Sequence, residues 1–385
     1  MPIFTPSNYA RPREPNFFGT PKCETKCALY EACGGSSAAP CTCVWKDPEK
    51  RHNCEECHLV CRERRDVSDP YHTHLQSGAA LADISLRQDS YTFPLLIPTR
   101  TRDLKKGIQL RPEWAGITLK NLLSEGRGKG RVSDLLTSAG ALKEKLRLSE
   151  NTKLLAVLNG KDYQLEAFWG MERKDLYRHL SALGFSGVTG PTFSITSEFD
   201  MDPITPASHN VLMLRRHHQV VAELQLCTEA AVVPNIYWRN EQDRNRWTEW
   251  LNANVEVSIV SRDFSMTRTG LPFDRELQGF LQIIEPVNRR LHVLLLGVAA
   301  GNAYTCLRRL AAHGCTASIV TGDPIMTAIN GGNRLVARSD GRLLKSHDRE
   351  VERSDLALSN LHTMVDYLSD ITSDLPVYST HTVVH

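Results

Sequence analysis

From residue 92 onward, short aliphatic and β-branched runs alternate with amphipathic stretches of helical length. The runs predict strands at Phe93–Ile97, Leu154–Leu158, Gly187–Ile195, Ala231–Tyr237, Val255–Val260, Leu291–Val298 and Thr316–Val320. The stretches between them predict helices at 114–124, 131–147, 172–183, 211–228, 241–252, 273–285 and 302–313, with a last helix at about 352–371. "LHVLLLGV" and "AAVVPNIYW" are nearly unbroken apolar runs, as expected of strands covered on both faces. Strands alternating with helices imply right-handed crossovers and a mostly parallel sheet. The fold class expected is therefore α/β. A complete or slightly broken (β/α) barrel over residues 92–345 fits best, and a doubly wound open sheet is the alternative.

The front of the chain follows neither period. Residues 1–22 are dotted with prolines and predict an extended arm. A cysteine-rich module spans 23–66, a polar stretch runs on to about 91, and residues 350–385 form a closing helix and tail. The composition is that of a folded chain, 41% hydrophobic and 23% charged over 385 residues, and a net charge of +2 gives no global pull toward nucleic acid. The longest apolar run, Leu291 to Ala300, falls well short of the roughly 20 residues that cross a bilayer. The N-terminus lacks a charged-then-apolar leader pattern. A cytoplasmic location with no membrane partner is expected.

That compartment bears on the cysteines. Eight of the eleven lie in the front module, as Cys23, Cys27, Cys33, Cys41, Cys43, Cys54, Cys57 and Cys61. Thiols in a reducing compartment bind metal more readily than they form disulfides, and cysteines two or three residues apart direct their sulfurs at one site. The run Cys54-x2-Cys57-x3-Cys61 has part of a ferredoxin ligand spacing, without its further cysteine or trailing proline. An iron–sulfur cluster of the 4Fe–4S kind is the expected cofactor, with zinc as the alternative. His52 and His58 are possible substitutes for a thiolate, and solvated surface histidines otherwise. Cys227, Cys306 and Cys315 stand singly in apolar segments and read as core.

In α/β folds of this kind, chemistry gathers beyond the C-terminal ends of the strands. Those ends carry Glu198 and Asp200, with Asp202 close by; Trp238 and Arg239; Arg262 and Asp263; Gly301 and Asn302; and Asp323 before Pro324. Carboxylates at several strand ends suit acid–base chemistry, so Asp263, Asp323, Asp200 and Glu198 are candidate catalytic groups. Arg262, Trp238, Arg239, Gly301 and Asn302 are candidates for holding substrate. Each has a plainer reading: Asp323 as a helix cap, the 198–202 loop as solvated surface, Arg262 and Asp263 as a local ion pair, and Gly301 as a packing glycine. "SEGRGKGR" (124–131) reads as a basic loop, and Trp247 and Trp250 as core at helical spacing.

"GPTFSI" (190–195), "LRRHH" (214–218) and "VVPNIYW" (232–238) give the stretch from Pro191 to Trp238 its character. It resembles part of a bacterial domain family of unknown function that phages and plasmids also carry. In that family an aspartate commonly precedes the Phe-Ser pair; here Thr192 stands there, with Asp200 and Asp202 farther on. The resemblance implies a mobile-element context and no established activity. Residues 291–332 are loosely similar to the late units of transglycosylase-type barrels that exchange nucleobases. Together these suggest an enzyme acting on a nucleobase, nucleotide or nucleic acid. The alternative is a non-catalytic factor that binds nucleic acid or protein through its metal module.

Overall fold

The computed structural model describes residues 91–126, 129–195, 207–267, 270–338, 343–348 and 350–379. The arm, the eight clustered cysteines, Glu198, Asp200 and the tail beyond 379 lie outside these residues. The described strands are β1 (Leu96–Pro98), β2 (Trp114–Thr118), β3 (Leu123–Gly126), β4 (Lys129–Val132), β5 (Lys153–Val157), β6 (Gly187–Thr189), β7 (Ala231–Val233), β8 (Ile259–Asp263), β9 (His292–Leu296), β10 (Thr316–Thr321), β11 (Asn333–Ala337) and β12 (Leu343–His347). The helices are α1 (Leu119–Leu122), α2 (Ala139–Lys145), α3 (Asp162–Trp169), α4 (Arg173–Ala182), α5 (Ala207–Cys227), α6 (Glu241–Ala253), α7 (Gly270–Ile284), α8 (Ala303–Ala312), α9 (Asp323–Gly331), α10 (Arg353–Thr372) and α11 (Pro376–Ser379).

Two four-stranded parallel sheets form the centre, in the orders β2-β5-β6-β7 and β8-β9-β10-β1. The fold is thus mixed α/β with parallel sheets. Around both sheets the eight strands succeed one another in chain order. β7 runs on to β8 through one bridge, Asn235 to Ser261, held by Ser261 N to Pro234 O at 2.9 Å and Ile236 N to Ser261 O at 2.8 Å. Between β1 and β2 no ladder forms among the described residues. No closed ring is seen among the described residues: two parallel sheets, joined by that one bridge, stand where a complete or slightly broken barrel was expected.

The two sheets share one apolar filling. Ile97, Trp114, Leu155, Val157, Val233, Ile259, Leu294, Leu296 and Val320 form a single buried cluster drawn from both. A second, larger cluster joins the opposite strand faces to the surrounding helices. Strands covered on both faces need apolar residues at successive positions, and Leu294, Leu295 and Leu296 meet that need.

Residues 114–124, expected as helix, instead hold β2, the single turn α1 and the start of β3. Gly116 explains the strand: a Cβ there would lie 2.7 Å from Thr99 Cγ2 and 3.3 Å from Val157 Cγ2. Only glycine lets the chain pass so close to its neighbours. The basic loop expected at 124–131 is the antiparallel hairpin of β3 and β4. Of the helix expected at 131–147, only α2 forms. No helix of the described residues is long and apolar enough to cross a membrane.

Candidate functional site at the strand ends

Alternation along each strand decides which residues reach the shared interior. Val157 lies in the inner cluster, so Asn159 two residues on faces the same way past the end of β5. Asn235 stands likewise beyond Val233, and Asp263 beyond Ile259 and Ser261. These three inward positions lie at the same end of the sheets, and two of them, Asn159 and Asp263, meet there. Asn159 Nδ2 donates to Asp263 Oδ2 at 2.9 Å, and Ser265 N donates to Asp263 Oδ1 at 2.8 Å. Each carboxylate oxygen keeps a lone pair unused, and Asp263 is half-buried. Gly297, at φ +71°, carries the loop after β9 past Ser265, where a side chain would collide. The turn that anchors Asp263 thus depends on a left-handed backbone position that favours glycine.

Asn235 is fully buried. Its backbone N–H donates to His217 Nε2 at 3.2 Å, and its Nδ2 donates to the Thr192 hydroxyl. Its Oδ1 is closed off from solvent and has no hydrogen-bond partner. A buried acceptor left in that state forfeits about 1–3 kcal/mol, which is uncommon without a reason. Because His217 accepts at Nε2, its proton sits on Nδ1, which lies 3.1 Å from His218 Nδ1 and donates to it. Burial, and then the neighbouring His218, holds the His217 imidazole well below its ordinary range, so it is neutral. Close by, the Ser194 hydroxyl donates to Asp162 at the first turn of α3, a second carboxylate at this end.

The other expected residues fall in different places. Asp323 shares this end as the first residue of α9, just past β10, and its carboxylate accepts from Ala300 N at 3.1 Å and from Lys345 Nζ at 3.3 Å. That ties the short 3-10 turn of Ala300, Gly301 and Asn302 to the start of α9. Arg262 faces away from the interior. Its guanidinium stacks over Trp238 with 4.3 Å to the ring centroid, donates to Ile236 O at 3.0 Å and pairs with Glu276 of α7. Trp238 is buried against Gly279 of α7. Arg239 is buried and grips Asp243 with bonds of 2.6 and 2.7 Å. Asp263 is therefore brought together with Asn159, whereas Arg262, Trp238 and Arg239 lie behind the strands.

Asn159, Asn235 and His217 are not singled out by the sequence because neutral amides, and a histidine pair within a helix, carry no charge pattern. A signal for Asn235 was present: Pro234 cannot donate to a ladder, so the strand must end beside it. Among the described residues, no group of three His, Cys, Asp or Glu side chains is placed to hold a metal ion.

No protein-family model matches this chain, and no curated protein does.

Proposed function

We propose that the eight strands are an opened (β/α) barrel whose strand-end mouth binds a nucleobase or nucleotide and acts on it through Asp263. The observation that carries this reading is the inward Asp263 carboxylate, anchored by Asn159 and Ser265 but with acceptor capacity to spare. A carboxylate so held presents fixed lone pairs to a ligand's N–H groups and accepts a proton without moving. The amides of Asn159 and Asn235 supply the paired donor and acceptor character that base edges demand. The sequential order of the parallel strands and the inner cluster common to both sheets support the barrel. In this reading the front cysteines, Cys23 to Cys61, hold an iron–sulfur cluster or zinc. Their module then shapes substrate binding or carries electrons.

The test is binding of free nucleobases and nucleosides to the full chain, followed by saturation-transfer NMR, with product analysis by mass spectrometry. A base or nucleoside that binds the native protein, and at least tenfold more weakly binds Asp263→Asn of unchanged circular dichroism, is the expected result; a factor of about ten is the worth of one charge-assisted hydrogen bond. Absence of binding to the native chain would sink the reading.

A further inference from the structure

Among the described residues, Asn235 holds a buried polar atom at the mouth, its Oδ1, that has no hydrogen-bond partner. Its amide sits on the inward face past β7, between Thr192 after β6 and Ser261 of β8. The bond from Asn159 to Asp263 links β5 to β8, and β6 and β7 lie between these strands in the sheet order. The oxygen is closed to solvent, with its nitrogen already committed to Thr192. An acceptor oriented from both its backbone and its amide nitrogen, yet unmet, is prepared for a donor that arrives from outside.

We propose that Asn235 is the specificity-determining residue of the mouth: its Oδ1 accepts a ring or amide N–H of the ligand while Asp263, still held by Asn159 and Ser265, accepts another on a free lone pair. The inference rests on the mouth reading above and deepens it. No existing bond has to break: one ligand donor meets a free lone pair of Asp263, and a second meets Asn235 Oδ1. The ligand class that follows is a neutral heterocycle with at least two N–H groups on one edge. A bare phosphate or carboxylate, which brings only acceptors, is rejected by the carboxylate and the amide oxygen alike.

The experiment compares whichever of uracil, cytosine, adenine and guanine binds the native chain most tightly with its ring-N-methylated analogue, and uses inorganic phosphate as a control. The native protein is expected to prefer the unmethylated base by about tenfold, the worth of one hydrogen bond to a buried partner. In the near-isosteric Asn235→Leu that preference should vanish while the melting temperature stays within about 4 °C of the native value, because an unmet acceptor has been removed along with one hydrogen bond. A structural asparagine would behave the other way, with lowered melting and intact preference. Asn235→Ser gives the same comparison should the leucine variant fail to fold. If base binding and the preference persist in the variants, the role given to Asn235 is overturned and the mouth reading stands. If no base binds the native chain, the mouth reading itself falls.

Discussion

Asn159, past the end of β5, donates a 2.9 Å hydrogen bond to Asp263 at the end of β8. Three strand spacings separate these strands along the order β5, β6, β7, β8. With neighbours about 4.8 Å apart, a flat sheet would set their ends about 14 Å from each other. Two short side chains do not bridge that gap. The bond therefore reports that the strands curve around their shared apolar filling, and it places a carboxylate inside the curve.

Replacing Asn159 by aspartate turns that donor into a second carboxylate against Asp263. Two such groups cannot both ionise cheaply, so one is held protonated above its ordinary range. A carboxyl whose folded pKa is raised stabilises the protein fully below the unfolded value, near 4, and less as pH rises through the folded value. Asn159→Asp is thus expected to match the native chain at pH 4 and to lose about 1–3 kcal/mol by pH 7. Urea unfolding at the two pH values measures this. An equal loss at both would show that the bond does not form.

Asp263 is legible because it follows the expected strand Val255–Val260, where a parallel strand hands over to a loop. Its neighbour Arg262 was grouped with it, although adjacent strand residues face opposite ways. Once Asp263 points inward, Arg262 must point out, and its stacking on Trp238 and pairing with Glu276 follow. Each of the seven expected strands overlaps an observed one: β6, β7 and β9 are shorter than expected, β10 is one residue longer, and β1, β5 and β8 are shifted, β8 running on to Asp263. β2 was hidden because "WAGITL" places its apolar residues at spacings that also suit a helix. What decides it is the close approach of Thr99 to Gly116, a contact between distant parts of the chain. Asn159 and Asn235 matter through what surrounds them, which no local pattern encodes.

Behind the mouth, α4 and α5 are joined by a buried ion pair. Arg173 donates to both oxygens of Glu223 at 2.8 and 2.7 Å, and Tyr177 and Gln219 each add a bond at 3.0 Å. Glu223→Leu alone leaves the guanidinium buried without its counter-charge and should cost about 3–5 kcal/mol. Adding Arg173→Met removes the stranded charge, and most of that loss should return. The double-mutant cycle is read by chemical denaturation. If the second substitution deepens the loss, the pair stabilises more than its desolvation costs.

The eight front cysteines make a prediction separate from the mouth. Full-length chain purified without oxygen or chelator should contain stoichiometric iron with acid-labile sulfide, or else zinc, by elemental analysis. Iron would colour the sample brown through thiolate-to-iron charge transfer, whereas zinc would leave it colourless. Replacing Cys54 and Cys57 together by serine should lower the metal content. A folded native chain with neither metal would remove the cofactor from the account.

The neutral His217 gives stability a slope in mildly acid solution. Its folded pKa lies well below the ordinary 6.5, first because burial disfavours the charged ring and then because His218 adjoins it. The unfolded chain therefore takes up a proton near pH 6.5 that the folded chain refuses. Stability from this site is fully present above that pH and falls as pH drops toward the folded value, by up to about 1.4 kcal/mol per unit. The Asn235 N–H loses its acceptor if the ring is forced to protonate, so the cost is paid where the mouth is built. His217→Gln has no such proton to bind. Urea midpoints measured from pH 8 to pH 5 should fall more steeply for the native protein than for this variant. Parallel curves would show that His217 does not resist protonation in the folded state.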